Sequence, residues 1–272
     1  MAGKLEGRVA FITGAARGQG RAHAVRLARE GVDIIGVDIC ADIPTMNYPC
    51  GTWEELQETA ALVEKEGRRA VVGRADVRDQ PALRAVFDQG HETFGRLDII
   101  IANAGILRLG DSRDPVAEWQ DTIDILLTGT FNTVQVALPA LRAGGRGGSI
   151  VFTSSSAGLK GTASEEPSAQ AYTTAKRGLV GYMQVLANQY AAEWIRVNTI
   201  HPTGVVSGMT MNEAMAAAMA NADSNISSMQ NALPIPILQP TDIANAVAFL
   251  VSDEAKFITG IAWPLDAGFS VR

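Results

Sequence analysis

Residues 8–20 have the sequence RVAFITGAARGQG, in which a β-branched, apolar run leads directly into three closely spaced glycines. An amphipathic helical pattern follows, so the segment predicts a strand (Arg8–Thr13), a glycine-rich turn and a helix. Gly14, Gly18 and Gly20 would let the backbone approach a pyrophosphate, while the amides of the helix N-terminus face the anion. A purely structural turn is the alternative, and the flanking strand and helix favour phosphate binding.

Asp38 ends the next predicted strand, residues 32–38 (VDIIGVD). Dinucleotide-binding folds place a ribose-binding acid about 20 residues after the glycine turn. This carboxylate can accept hydrogen bonds from the ribose hydroxyls and would repel a 2′-phosphate, and Ile39 and the next two residues are not basic. NAD is therefore favoured over NADP. Arg17 keeps the alternative open, because it could reach a phosphate in either cofactor.

Strands and helices alternate along the rest of the chain. Ala70–Arg74 is a third strand, and the continuous apolar run Leu97–Ala102 (LDIIIA) is typical of a parallel strand buried on both faces. One long helix is predicted over 116–140. We expect an α/β fold: a single domain over residues 1–272, with a Rossmann-like, doubly wound parallel sheet and helices on both faces. The cofactor should lie across the carboxyl ends of the strands.

Residues 40–52 (CADIPTMNYPCGT) interrupt this alternation. Pro44, Pro49 and Gly51 break any regular element. Long structureless loops in compact domains tend to be functional or mobile, so this insertion could fold over the adenosine end of a dinucleotide. A tolerated surface insertion is an equally good interpretation.

Tyr172 and Lys176 are four residues apart on a predicted helix and therefore project from the same face. A phenol with an ordinary pKa near ~10 is a weak base at neutral pH, and a nearby ammonium favours its ionised form. A solvated surface pair is the alternative for so short a motif. The hydroxyl-rich segment 154–158 (SSSAG), after the strand Ser149–Thr153, could hydrogen-bond a substrate oxygen at the same edge of the sheet.

Composition excludes several classes of partner. A net charge of -6 and a pI near 5.2 provide no basic face for nucleic acid or anionic lipid. The N-terminus has no apolar signal region and no apolar run is long enough to span a bilayer, so we expect a cytoplasmic protein. Cys40 and Cys50 lack metal or redox spacing and should be free thiols. No metal site is expected, and His23, His91 and His201 are expected to be packed or solvated rather than catalytic.

The ordered set of these motifs resembles the short-chain dehydrogenase/reductase family over essentially the whole chain. The motifs are Thr13-Gly14-x-x-x-Gly18-x-Gly20, Asp76, Asn103-Ala104-Gly105, Ser154-Ser155-x-Ala157-Gly158, Tyr172-x-x-x-Lys176 and the Pro202 turn. The insertion, with Asp38-Ile39-Cys40-Ala41 and His201-Pro202-Thr203, is similar to the mycofactocin-coupled, carveol-dehydrogenase-like branch. Members of that branch are thought to retain NAD and to have it recycled in place by the redox peptide mycofactocin.

The resemblance implies a role for each matching residue. Tyr172 would transfer the proton, Ser155 would orient the substrate oxygen with Ser156 as a substitute, and Lys176 would hold the nicotinamide ribose and lower the Tyr172 pKa. Val205 would present backbone groups to the carboxamide, with Ser207 nearby. The complete expected cofactor set is Gly14, Arg17, Gly18, Gln19, Gly20, Asp38, Ile39, Asp76, Val77, Asn103, Ala104, Gly105, Tyr172, Lys176, Pro202, Val205 and Ser207.

One departure from the family pattern concerns proton exchange. The segment Asp124-Ile125-Leu126-Leu127-Thr128-Gly129 matches family wording such as D-V-N-L-T-G, with Leu126 in place of the Asn. That Asn is associated with a helix bulge and with a water that links the lysine to solvent. We therefore expect a slower or rerouted proton relay, in which Thr128, Thr122 or a backbone carbonyl supports a water instead.

The expected activity is hydride transfer between NAD and a secondary alcohol or ketone. A mobile substrate lid over residues 206–238, with Met209, Met211, Met215 and Met229, predicts an adaptable apolar pocket that suits terpenoid-like alcohols. A homotetramer is implied by resemblance only. The alternatives are a dinucleotide-binding sensor or scaffold, a ketone reductase with exchangeable cofactor, and an epimerase or dehydratase that uses the same Tyr/Lys pair.

Overall fold

The computed structural model describes residues 3–221 and 230–272. Within them, seven parallel strands form one sheet. The strands are β1 (Val9–Thr13), β2 (Asp33–Asp38), β3 (Ala70–Arg74), β4 (Ile99–Ala102), β5 (Gly148–Thr153), β6 (Ile195–Pro202) and β7 (Ala262–Leu265). Their order is β3-β2-β1-β4-β5-β6-β7, so the chain winds outward twice from β1 and leaves a crevice between β1 and β4.

Helices cover both faces of the sheet. They are α1 (Gly18–Arg29), α2 (Trp53–Lys65), α3 (Gln80–Phe94), α4 (Pro115–Ile123), α5 (Gly129–Ala143), α6 (Ser156–Lys160), α7 (Pro167–Tyr190), α8 (Glu213–Asn221) and α9 (Pro240–Val251). One core cluster joins α1, α2 and α9 to the sheet, and another joins α3, α5 and α7 to the opposite face. The predicted doubly wound fold is confirmed.

Alternating side chains of each central strand supply the two cores. In β1, Phe11 packs toward α3 and α5, whereas Ala10 and Ile12 pack toward α1 and α9. All three are fully buried. This two-sided burial explains why the strands are continuous apolar runs instead of alternating polar and apolar residues.

The predicted long helix over 116–140 is interrupted. Residues Asp124–Thr128 form a π-helical segment between α4 and α5, and the Gly129 amide bonds back to the Asp124 carbonyl. Such single-turn bulges are frequent at functional sites. The bulge forms here with Leu126 at its centre, so it does not depend on an Asn at that position.

Helix α6 was not predicted. Its N-cap is Ser155, whose hydroxyl accepts a hydrogen bond from the Ala157 amide, and it ends at Gly161 with a left-handed φ of 72°. The insertion contains no regular element, as its prolines predicted. Of the predicted mobile lid, residues 222–229, including Met229, lie outside the described residues. No helix among residues 3–221 and 230–272 is long and apolar enough to cross a membrane.

Candidate active site

The glycine turn between β1 and α1 requires its glycines. Gly14 and Gly18 have φ of 68° and 56°, which L side chains rarely adopt. A Cβ on Gly20 would lie 1.9 Å from the Gly14 carbonyl oxygen, and one on Gly14 would lie 2.9 Å from the Ala104 Cα. The turn is therefore packed as tightly as its backbone permits, and its inner edge opens into the main cleft.

Asn103 braces that turn from the end of β4. Its Nδ2 donates to the Thr13 carbonyl at 3.1 Å, and its Oδ1 accepts from the Thr153 hydroxyl at 3.3 Å. The Thr13 hydroxyl in turn accepts from the amides of Asn103 and Ala104. The motif therefore fixes the ends of β1, β4 and β5 relative to one another, a role its sequence did not indicate.

Asp38 lies at the carboxyl end of β2, as predicted. Its carboxylate accepts hydrogen bonds from the amides of Ala16 (3.0 Å) and Cys40 (3.3 Å). Burial raises the pKa of Asp38, and these backbone donors oppose the rise. The acid is therefore held by the glycine turn on one side and the start of the insertion on the other.

Asp76 has a partner that the sequence analysis did not anticipate. Its carboxylate accepts two hydrogen bonds from the Arg78 guanidinium, at 2.9 and 2.6 Å. Arg78 also binds Asp121 of α4 at 2.6 Å, and Asp121 accepts a 2.6 Å bond from Thr45 of the insertion. The Val77 carbonyl accepts a 2.9 Å hydrogen bond from the Asn132 side chain. Hydrogen bonds and ion pairs through Asp121 and Arg78 thus link the insertion to Asp76 in the lining of the cleft.

The insertion itself folds over the cleft. Arg17 of the glycine turn donates to the Pro49 carbonyl, so its guanidinium is engaged with the insertion. The Tyr48 hydroxyl accepts from the Leu107 amide at 3.3 Å, and Asn47 donates to the Leu109 carbonyl at 2.8 Å. These contacts favour the covering interpretation of residues 40–52 over that of a neutral surface insertion.

Most of the expected cofactor residues line one continuous cleft. They are Gly14, Arg17, Gly18, Gln19, Asp38, Ile39, Asp76, Val77, Asn103, Ala104, Gly105 and Ser207. Gly20, Tyr172, Lys176, Pro202 and Val205 are not among its lining residues, and Val205 gives its carbonyl to the Thr210 hydroxyl at 2.6 Å. The cleft is also lined by Ile43, Tyr48 and Cys50 of the insertion, by Ile106 and by Met209.

This cleft fits a dinucleotide. A glycine turn at a helix N-terminus supplies unpaired amides for a pyrophosphate, and the space there would be filled by any larger side chain. A half-buried carboxylate at the end of β2 suits ribose hydroxyls, and apolar residues such as Ile39 and Val77 suit the faces of a base.

Ser155, Tyr172 and Lys176 come together at the carboxyl end of β5. The Ser155 hydroxyl hydrogen-bonds the Tyr172 phenol, and the Lys176 Nζ lies 5.5 Å from the Tyr172 ring centroid. Ser155 and Lys176 are buried, at 9% and 4% exposure. Ser156 is buried within α6. The predicted triad is therefore brought together by β5, α6 and α7.

The electrostatics of this triad differ from the expectation. Burial raises the pKa of Tyr172, and the hydrogen bond from Ser155, not the charge of Lys176, opposes that rise. Burial lowers the pKa of Lys176 to about 7, so this side chain carries only part of a positive charge at neutral pH. Ser155 is the group that stabilises the phenolate in this structure.

Leu126 occupies the expected relay position and brings no polar atom to it. A Cβ on Gly105 would lie 2.8 Å from the Leu126 Cδ2 and 3.7 Å from the Lys176 Nζ, so both side chains flank Gly105. Thr128 is exposed, the Thr122 hydroxyl donates to the Glu118 carbonyl, and the Leu126 carbonyl accepts from Thr130. The three suggested water supports are thus exposed or already hydrogen-bonded.

His201 contacts the predicted catalytic serine, which its sequence context did not indicate. It is fully buried, as packing predicted, yet its Nδ1 lies 2.9 Å from the Ser155 carbonyl oxygen. No sequence motif indicated this contact, because it depends on the pairing of β6 with β5.

The fold and the Ser/Tyr/Lys cluster define a short-chain dehydrogenase/reductase. The chain belongs to this family: the family model described as enoyl-(acyl carrier protein) reductase matches residues 14–270. The protein is therefore an oxidoreductase of this class, as the motifs predicted.

The chain is also similar over its length to individual proteins and to solved structures. The chain is 48% identical over 279 residues to the (-)-trans-carveol dehydrogenase of Rhodococcus erythropolis, with 99% of each chain covered. It is 51% identical over 266 residues to an uncharacterized oxidoreductase of Mycobacterium tuberculosis, with 97% of each covered. The crystal structure of carveol dehydrogenase from Mycobacterium avium in complex with NAD superposes with a TM-score of 0.92 at 46% identity and covers 100% of both chains.

Proposed function

We propose that this protein is an NAD-dependent dehydrogenase that interconverts secondary alcohols and ketones of apolar, terpenoid-like structure. The observation that carries the proposal is the convergence of Ser155, Tyr172 and Lys176 beside a glycine-lined dinucleotide cleft. The carveol dehydrogenase relatives, one of them solved with NAD, support both the cofactor and the substrate class.

Each residue of the triad has a distinct task. Ser155 orients the substrate oxygen and stabilises the Tyr172 phenolate by donating its hydroxyl hydrogen. Tyr172 takes the proton of the alcohol during oxidation and returns it during ketone reduction. Lys176, fixed by a 2.5 Å bond to the Thr153 carbonyl, would hold the nicotinamide ribose and exchange protons with Tyr172. Bound NAD supplies the hydride acceptor.

The cleft suggests roles for the other expected cofactor residues. The turn Gly14–Gly20 would hold the pyrophosphate and Asp38 the adenosine ribose, while Asp76 and Val77 would border the adenine. Arg17 is engaged by the insertion, which leaves the carboxylate of Asp38 to set the preference for NAD. Ser207 and the backbone near Val205 complete the nicotinamide end.

We further propose that the cofactor stays bound between turnovers and is recycled by a redox peptide such as mycofactocin. The insertion is anchored to two parts of the chain, by Thr45 to α4 and by Asn47 and Tyr48 to the segment that follows β4. An exchangeable cofactor would have to leave past these contacts. The same enzyme without retention, an ordinary NAD-linked ketone reductase, is the alternative.

The segment after β6 is proposed to form the substrate lid. Met209 lines the cleft, and Met211 is 65% exposed on the described part of that segment. Thioether side chains repack easily around varied ligands, which suits an apolar alcohol. We propose that this segment is part of a single domain that comprises residues 1–272.

A homotetramer in the cytoplasm is the proposed state. Large apolar side chains are exposed on α4, α5 and α7, and others lie near the β7 edge, and such side chains call for a partner surface. They include Trp119, Phe131 and Val185 on the helices, and Phe257 and Ile261 before β7. Both cysteines are free, which agrees with a reducing compartment.

A dinucleotide-binding sensor without turnover is the second candidate, because Leu126 leaves the relay position apolar. One experiment separates these functions. The purified protein is assayed for co-purified nicotinamide and then offered secondary alcohols, first with an artificial electron acceptor and then with free NAD.

Turnover with the acceptor alone would support a retained cofactor, and rapid turnover with free NAD would contradict retention. Tyr172→Phe should lower turnover by about 100-fold or more, the contribution expected of general acid–base catalysis. If no alcohol reduces the bound nicotinamide and the variant matches the wild type, the sensor interpretation is correct.

A further inference from the structure

We propose that His201 is a positioning residue for the reaction: through its Nδ1 hydrogen it holds the Ser155 backbone, and thereby the Ser155 hydroxyl, against Tyr172. The inference rests on the proposed function for its catalytic consequence. Its structural basis is independent of that function, because it is a set of hydrogen bonds between buried groups.

The hydrogen bonds of His201 fix which nitrogen carries the proton. Its Nδ1 lies 2.9 Å from the Ser155 carbonyl oxygen, which can only accept. Nδ1 must therefore be protonated. Burial lowers the pKa of His201 and outweighs the opposing effect of the hydrogen bond to Ser155, so the ring is neutral and Nε2 is an acceptor.

Thr199 completes the arrangement. Its hydroxyl lies 2.8 Å from the Nε2 of His201 and must donate to it. The Thr199 side chain thus accommodates the tautomer that is protonated at Nδ1, because its hydroxyl can donate to the unprotonated Nε2. Both residues belong to β6 and both are 0% exposed, so no water competes for these bonds.

The position of Ser155 explains why this contact matters. Ser155 follows the end of β5 and caps α6, and α6 is only five residues long. Its amide-side neighbour Ser154 is fixed by the bond from the Ser154 hydroxyl to the Lys176 carbonyl, at 2.7 Å. The carbonyl side of Ser155 is fixed by His201. The two contacts together set the direction of the hydroxyl that reaches Tyr172.

The test uses two substitutions of similar size. His201→Asn places an amide donor close to the position of Nδ1 and should retain the bond to Ser155, whereas His201→Leu removes it. With a retained or added NAD and a secondary alcohol, His201→Leu should lower kcat by roughly 10- to 100-fold, the cost of a misplacement of about 1 Å. His201→Asn should remain within about threefold of the wild type, and the KM of both variants should change little.

A double-mutant cycle excludes a merely structural effect. If His201 acts through the Ser155 hydroxyl, His201→Leu should have little further effect on kcat in a Ser155→Ala background. Asn198→Ala is the matched control, because Asn198 is also buried in β6 but bonds to Ile258 and Ile261. It should lower stability without altering kcat. Equal activity of the Leu and Asn variants, or an additive cycle, would overturn the proposal.

A second measurement does not require turnover. The chain has only three histidines, so ¹⁵N-detected imidazole spectra can be assigned with His201→Asn. His201 should be protonated at Nδ1 and not at Nε2, and Thr199→Val should shift the Nε2 resonance, because Nε2 loses its hydrogen-bond donor. A ring protonated at Nε2 in the wild type would contradict the inference. Absence of alcohol oxidation in the wild type, with the expected spectrum, would instead refute the proposed function alone.

Discussion

The Nζ atom of Lys176 donates a 2.5 Å hydrogen bond to the carbonyl oxygen of Thr153, the last residue of β5. This bond fixes a buried amine beside Gly105 and Leu126, where the neighbouring side chain is apolar. The Lys176 amine is therefore fixed in position, and burial lowers its pKa. Its protonation should affect both stability and proton exchange.

Replacing Lys176 should reveal the cost of burying its charge. The folded-state pKa is lowered to about 7 from 10.5, so the unfolded chain binds more protons between these values and wild-type stability should rise as pH increases from about 7 to 10. Lys176→Met buries no ionisable group, so its stability lacks this dependence on pH. Below about pH 7 the variant should be more stable by a few kcal/mol, on the order of 1.4 kcal/mol per pKa unit.

The measurement is urea unfolding of protein refolded without nicotinamide, at pH 6.5 and 9.5. The advantage of Lys176→Met should shrink or reverse at the higher pH, since the lost bond to Thr153 then dominates. Lys160→Met is a control in a more exposed position on α6. A constant difference across this pH range would show that Lys176 keeps an ordinary pKa.

Leu126→Asn should restore a polar group at the relay position. We expect turnover to rise by up to about tenfold, less than a full general acid–base contribution, and the pH–rate profile to change. The buried amide should also cost about 1–3 kcal/mol of stability if it is left unpaired. Leu126→Met, which keeps the volume and adds no hydrogen bond, is the control. An unchanged profile and turnover in the Asn variant would mean that the relay is not compromised in the wild type.

Thr45→Val should loosen the insertion. The variant loses the 2.6 Å bond from the Thr45 hydroxyl to the Asp121 carboxylate, worth about 1–2 kcal/mol in a half-buried site. Dissociation of bound nicotinamide should then be roughly 5- to 30-fold faster. The rate is measured by following the fluorescence of the reduced nicotinamide after dilution. Thr45→Ser keeps the hydroxyl and should release nicotinamide at the wild-type rate. Equal rates for all three proteins would show that this bond does not contribute to retention.

Asp38→Asn should weaken the preference for NAD over NADP. The carboxylate that repels a 2′-phosphate becomes neutral, so the ratio of the two dissociation constants should fall by about tenfold, or 1.4 kcal/mol. Binding titrations of refolded protein with each cofactor give the ratio. Asp42→Asn is the control: it changes a carboxylate of the insertion that accepts a hydrogen bond from the Cys50 amide, and it should leave the preference unaltered. The same ratio in Asp38→Asn and wild type would mean that another group sets the preference.

Much of the fold could be predicted because local patterns carry it. The apolar runs predicted β1 to β5 within about two residues at each end, and the glycines marked the turn after β1. The π-helical segment could not be predicted, since its single extra residue per turn depends on how α4 and α5 pack. Helix α6 was missed because it is one turn long and begins within the hydroxyl-rich segment.

The amino-acid sequence by itself determined the doubly wound sheet, the phosphate-binding turn and the identity of Ser155, Tyr172 and Lys176, because these follow from periodicity and from short motifs. Only the tertiary structure decided their electrostatics. Burial lowers the pKa of Lys176, Ser155 stabilises Tyr172, and His201 holds Ser155 across two strands. Desolvation and long-range hydrogen bonds depend on what surrounds a group in space, and that information is absent from its neighbours in the chain.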